Sequence, residues 1–418
     1  MKFVSSKAAV EYLLSTNAIR ERSRRVLEFV ENGDSPFFTL HRDQLSKVVS
    51  LVVEEIKHNY PKLDVPYHSR WRHFSVGGID REAVLDRLLN TTSRRQAVMA
   101  KLELAIVSVL LDAGAGSTWR YREPEMGGEY SRSEGLAVAS FHAFTCGKLG
   151  GAPLRVDAHT LAQIDNTSIE EMFQVSEGNP LLGASGRAEL LRNLGRQIEQ
   201  RRDLFPSEEG RLGGFLQYLL PEEGQGVGRQ EVTNNRISAQ RLLSFVLEAL
   251  GPIWPGRLSL AGVPLGDVWQ HPAIVTHDET NGFVPFHKLS QWLTYSLCEP
   301  LRALCGEIEG VEELTGLAEY RNGGLFVDGG VLRLKDEANY EKSHNPSSQL
   351  VVEWRACTIC LLDEVAERVR AILGFSPQVF PLAKVLQGGT WSVGRLLAKQ
   401  LRNDGGPPLH IESDGTVF

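Results

Sequence analysis

Lys288 and Glu319 are the residues of this chain whose types and spacing are best suited to chemistry. Lys288 lies in FHKLSQWL (286–293), and Glu319 in LAEYRNGG (317–324) beside Arg321. A second carboxylate–arginine pair, Glu353 and Arg355, follows in VVEWRA (351–356). The 31-residue separation of Lys288 and Glu319 suits two adjacent helices joined by a loop. A lysine facing a carboxylate can break a C–N bond at a sugar carbon. The carboxylate stabilises positive charge on the sugar or activates water, and the ammonium serves the leaving group. The same two residues could instead make a plain inter-helix ion pair.

Other segments carry candidate ligand groups. PYHSRWRHFSVGGIDR (66–81) is aromatic and basic without a clean period, and it holds Trp71, Arg72 and His73. Such a loop can meet an anion beside a planar group, or stack its own arginines on aromatics to pin itself to the core. Asp112 opens a DAGAG turn that has the spacing of neither a P-loop nor GxGxxG. In WRYRE (119–123), aromatic and charged residues alternate, as in a short extended segment that turns Trp119 to one face. Arg122 adds to an arginine excess around this segment and the preceding aromatic one. Asp278 and Glu279 could bind sugar hydroxyls, although Asp278 also suits a turn or an N-cap. Arg355 could orient Glu353 or meet a phosphate, and the two could equally form a buried ion pair.

Composition narrows the function classes. The 418 residues are 42% hydrophobic and 23% charged, an ordinary globular balance that allows a large core and a buried pocket. The net charge of −7 argues against a generic nucleic-acid binder. Five cysteines do not read as a disulfide framework. Cys357 and Cys360 have CxxC spacing, but they lie in an apolar helical run with no second CxxC, which points to buried thiols. His68 and His73 lack a third ligand nearby in sequence. No metal or cofactor is therefore expected. The N-terminal stretch MKFVSSKAAVEYLLS lacks a signal-peptide core, and no apolar run is long enough to span a bilayer, so a soluble cytoplasmic protein without a membrane partner is the expectation.

The periodicity is helical through most of the chain. Amphipathic helices are expected over 5–60, an apolar helix over 94–111, a helix beginning within 128–141, and helices over 160–250 with breaks at Gly178–Pro180 and Gly224–Gly228. The Gly/Pro-rich stretch 252–272 reads as an inserted hairpin or loop, and 329–334 as a short strand. Helices resume over 284–305, 311–320 and 350–373.

Two resemblances sharpen this picture. The segments 159–195, FHKLSQWL, LAEYRNGG and VEWRA resemble, in order and spacing, those of the queuosine salvage nucleosidases. That resemblance puts Lys288 and Glu319 on the family's catalytic lysine and aspartate, with Glu319 longer by one methylene. Gln291 matches too, Glu353 and Arg355 fall on an EIR pair, and Ser296 replaces an aspartate. PYHSRWRHFSVGGIDR, LLDAGAGSTWRYREP, RSEGLAVASF and HDETNGFVPFHKLSQWL resemble a family of unknown function from the URC route of uracil catabolism. Together they imply a mainly α fold with a helix–hairpin–helix glycosylase-like core, few short strands and an elaborated N-terminal half. Residues 1–150 would carry the aromatic and basic ligand loops, and 151–418 the nucleosidase-like core. The implied activity is N-glycosidic hydrolysis of a small ribosyl compound, ribosylurea or its 5′-phosphate. The alternatives are a nucleic-acid glycosylase or binding module, and a noncatalytic partner of uracil-catabolism enzymes.

Overall fold

The computed structural model describes residues 5–112, 114–124, 127–221, 236–254 and 258–412; the expected break at Gly224–Gly228 lies outside them. The fold is mainly α. Among the described residues, strands are two or three residues long and occur as two-stranded pairs. Phe38–Leu40 pairs antiparallel with Leu332–Leu334, the strand expected within 329–334. The Gly/Pro-rich stretch contains a small hairpin, Ser259–Leu260 with Val263–Pro264, and then Val268–Gln270, which pairs with Phe283–Pro285.

The centre of the molecule is the helix Gln349–Leu373, whose residues 350–362 are all buried. Ser348 caps its start, and Gly374 ends it at φ +77, a conformation that costs glycine little. Thr16–Glu31 packs along it with Ile19, Val26, Leu27 and Val30 turned inward. Cys357 and Cys360 lie on this central helix, and burial pushes both thiols up, Cys360 to about 12. All five cysteines are free. The main apolar cluster draws on both halves of the chain, from Val52, Trp71 and Leu104 to Leu297, Trp354 and Leu386. No helix among the described residues is long and apolar enough to cross a membrane.

One expected element is displaced. The helix expected over 311–320 is a single 3-10 turn at Val311–Glu313, and the α-helix runs over Tyr320–Asp328. At Gly316 the backbone presses on Leu362: an added Cβ would lie 2.6 Å from its Cδ1. Glu319 is the N-cap of the later helix. That helix packs closely on Trp391–Leu401 at Gly394, where a Cβ would meet the Arg321 carbonyl oxygen at 2.3 Å.

Candidate active site

Lys288 is the first residue of the helix Lys288–Cys305. Three successive backbone amides enter that helix on one residue, Asp267. Phe286 and His287 donate to its carbonyl at 2.9 and 3.4 Å, and Lys288 donates to its Oδ2 at 3.0 Å. His287 holds a left-handed backbone at φ +48, and its Nε2 lies 2.9 Å from the Leu13 carbonyl oxygen. Strain of this kind persists only where surrounding contacts determine it.

Glu319 uses both carboxylate oxygens as a helix cap. Oε2 accepts from the Arg321 amide and Oε1 from the Asn322 amide, each at 2.7 Å. Its carboxylate is thus fixed in direction before any ligand arrives.

Both side chains line one cavity of about 400 Å³. No ion pair within 4.0 Å joins them, yet each lies in the other's field. Burial lowers the Lys288 ammonium from its ordinary value, against the pull of Glu319. Burial raises the Glu319 carboxyl, against its two amide donors and Lys288. Three other titratable groups of the cavity are more committed. Burial lowers His68 to about 4, and burial with the nearby Arg70 charge lowers His73 well below the usual imidazole value, so both rings are neutral near pH 7. Asp112 is tied through Oδ2 to the fully buried Arg70 at 2.7 Å.

The aromatic wall comes from residues that sequence reasoning did not single out. Trp292 is on the Lys288 helix, and Trp391 follows a π-helical turn at Leu386–Thr390. The His68 ring contacts both, at 6.4 and 6.0 Å between centroids, and His73 meets Trp292 edge-on at 5.6 Å. Arg132, Ser133, Tyr320 and Asp404 complete the polar lining. Arg132 stands at φ +53, and its guanidinium has no hydrogen bond or ion pair among the described residues. Three helices begin at this cavity, at Arg132, Lys288 and Tyr320, so their positive ends point to it.

Of the candidates named from sequence, Lys288, Glu319, His73, Asp112 and Arg321 line the cavity. Arg321 also donates to the Gly405 carbonyl at 2.8 Å. The others do not line it. Trp71 is buried and donates to the Ser296 carbonyl at 2.8 Å; Arg72 pairs with Glu299 at 2.7 Å. Ser296 in turn accepts from the Arg70 amide at 2.9 Å. The aromatic and basic segment is therefore stapled to the Lys288 helix, with only His68 and His73 reaching the cavity. Trp119 is buried and donates to the Phe173 carbonyl, and Arg122 is exposed, pairing with Glu129 at 3.0 Å. Asp278 closes its own turn by accepting from Thr276 and Thr280, and Glu279 is exposed. Gln291 is buried, accepting from the Thr315 amide at 3.3 Å. Glu353 is buried against Ser35, His271 and Gln349. Arg355 grips Asp267 rather than Glu353, at 2.7 and 2.8 Å.

The only sequence signals for the missed wall were isolated tryptophans. Asp267 was hidden in a stretch that reads as a loop. Among the described residues, no group of three His, Cys, Asp or Glu side chains could hold a metal ion.

A family model described as "Protein of unknown function (DUF1688)" matches residues 12–418. The chain belongs to this family. It is 38% identical to Protein urg3 of Schizosaccharomyces pombe, over 99% of this chain and 100% of that protein. It is 34% identical to Uracil catabolism protein 4 of Lachancea kluyveri, over 98% of this chain and 99% of that protein. Every cavity-lining residue falls inside the family match.

Proposed function

We propose that this chain is a hydrolase of uracil catabolism that cleaves the N-glycosidic bond of a ribosylurea-type compound, free or as its 5′-phosphate. The products are urea and ribose or ribose phosphate. One observation carries this reading: Lys288 and Glu319 line a single cavity of about 400 Å³ without closing on each other. The volume suits a nucleoside-sized ligand. The relative named for uracil catabolism supports the pathway.

In this reaction the C1–N electron pair leaves with the urea nitrogen, which takes a proton from Lys288. Glu319 stabilises the positive charge that develops on the sugar and accepts a proton from the water whose oxygen bonds to C1. Return of that proton to Lys288 through solvent resets the pair, and the net change is addition of one water. With both histidines neutral and the arginines unable to give up a proton, Lys288 is left as the cationic acid. The planar ureido group has Trp292 and Trp391 to lie against. The Oδ1 of Asp112 makes no hydrogen bond among the described residues and can accept from a sugar hydroxyl. Arg132 can meet a 5′-phosphate.

The test is urea release by purified protein from ribosylurea and from its 5′-phosphate. Uridine monophosphate and uracil-containing duplex DNA should be left intact. Better turnover of the duplex would favour a nucleic-acid glycosylase. Failure of a well-folded protein on every substrate would favour a noncatalytic partner.

A further inference from the structure

Asp267 is held by a fork. Arg355 donates through Nη1 to Asp267 Oδ1 at 2.7 Å and through Nη2 to Oδ2 at 2.8 Å. The Nε of the same guanidinium donates to the Ala318 carbonyl at 3.1 Å, and its central carbon lies over the Phe286 ring, 4.2 Å from the centroid. Ala318 immediately precedes Glu319, and Asp267 receives the three amides that lead into Lys288. One ion pair, its arginine buried and its aspartate mostly so, therefore touches the backbone beside both cavity residues. The buried pair Arg81–Glu123 offers a contrast: it reaches His142 and the carbonyls of Phe74 and Val76, none of which lines the cavity.

We infer that Asp267 and Arg355 are positioning residues, a brace that fixes the separation and orientation of Lys288 and Glu319 across the cavity. The inference rests on the proposed reaction to the extent that those two act together. Bidentate geometry is what gives the brace its direction: a fork locks the planes of both partners, where a lysine would supply only a point charge. The brace also places two opposite charges near the Lys288 ammonium. The charged groups that act on it most are Glu319, Arg355, Asp267 and Asp112, and Arg132, Arg321 and Asp404 line the same cavity.

The test uses full-length protein and two readouts. The first is the pH dependence of Lys288 acylation, followed by mass spectrometry, which needs no substrate. D267N keeps an acceptor for the Lys288 amide but removes the negative charge, so Lys288 should become reactive at lower pH. R355Q leaves Asp267 uncompensated, so Lys288 should become reactive only at higher pH. The second readout is urea release, in which kcat should fall by about 10²-fold with KM within about threefold, as expected for a misaligned reacting pair. R355K should recover little of that loss. D267N/R355Q removes both charges together while keeping a hydrogen-bonded pair, which guards against unfolding. It should restore the melting temperature more than the turnover. Opposite shifts in labelling from a protein that releases no urea would leave the brace standing and remove the proposed reaction. Folded D267N and R355K proteins with wild-type labelling and wild-type kcat would overturn the brace and reduce the pair to a stabilising contact.

Discussion

Replacing Glu319 by glutamine separates the two tasks of its carboxylate. As a cap, it accepts two amides at 2.7 Å, one on each oxygen. An amide keeps one acceptor and turns an NH₂ toward the other N–H, so part of the cap is lost. Caps are worth about 0.5–2 kcal/mol, and burial already disfavours the charge that is removed. The net cost should be roughly 1 kcal/mol, or a fall of no more than about 4 °C in a chain of this size. In the proposed reaction an amide can neither accept the water's proton nor carry negative charge beside the developing cation. Turnover should fall by about 10²–10⁴, equivalent to about 3–5 kcal/mol of barrier. E319D completes the comparison. Aspartate is at least as good a cap, so stability should hold or rise, while the carboxylate retreats by about one methylene and turnover drops by about 10². Urea release under saturating substrate, paired with thermal melts, reads both quantities. An E319Q enzyme with wild-type turnover, or one whose loss merely tracks unfolding, would refute the reasoning.

Three further outcomes follow from the same geometry. The proposed reaction requires Glu319 ionised and Lys288 protonated. With the carboxyl raised and the ammonium lowered, activity is lost as pH falls through a value above the ordinary carboxylate range. It is also lost as pH rises through a value below the ordinary ammonium range, and a kcat/KM profile, which reports the free protein's groups, with limbs at the ordinary values would contradict this. Incubation with a chelator should leave turnover unchanged, since no cluster of metal-ligating side chains is present among the described residues; loss of activity restored by zinc or iron would count against it. W391A should raise KM by about 2- to 13-fold by removing a stacking wall, whereas W71F, which frees the buried Ser296 carbonyl, should lower stability by about 1–3 kcal/mol without changing KM.

The mainly α fold was legible because apolar residues repeat at helical spacing over long stretches, as in 16–31 and 94–110. Lys288 and Glu319 were legible because short motifs carried them. The boundary at 311–320 was not, because a cap and a close approach at Gly316 decide where the helix begins, and neither leaves a periodic signal. Trp71 and Trp119 read as ligand walls because an aromatic beside arginine has the same composition whether it faces a ligand or a core. Only the tertiary partners, the Ser296 and Phe173 carbonyls, distinguish the two. Asp267 and Trp391 were missed for a related reason. Each is a lone residue whose role comes from elements distant in sequence: Arg355, 88 residues away, for Asp267, and the Lys288 helix with His68 for Trp391.

In the proposed reaction water adds to the sugar carbon while nitrogen departs. A single turnover of ribosylurea or its 5′-phosphate in H₂¹⁸O, quenched at once with borohydride to fix the pentose C1 oxygen, tests it most directly. One ¹⁸O is expected on the pentose C1 and none in the urea, and over the same interval K288M and E319Q should form almost no pentose or urea. Label in the urea-derived carbonyl, or urea formed without label at C1, would contradict it.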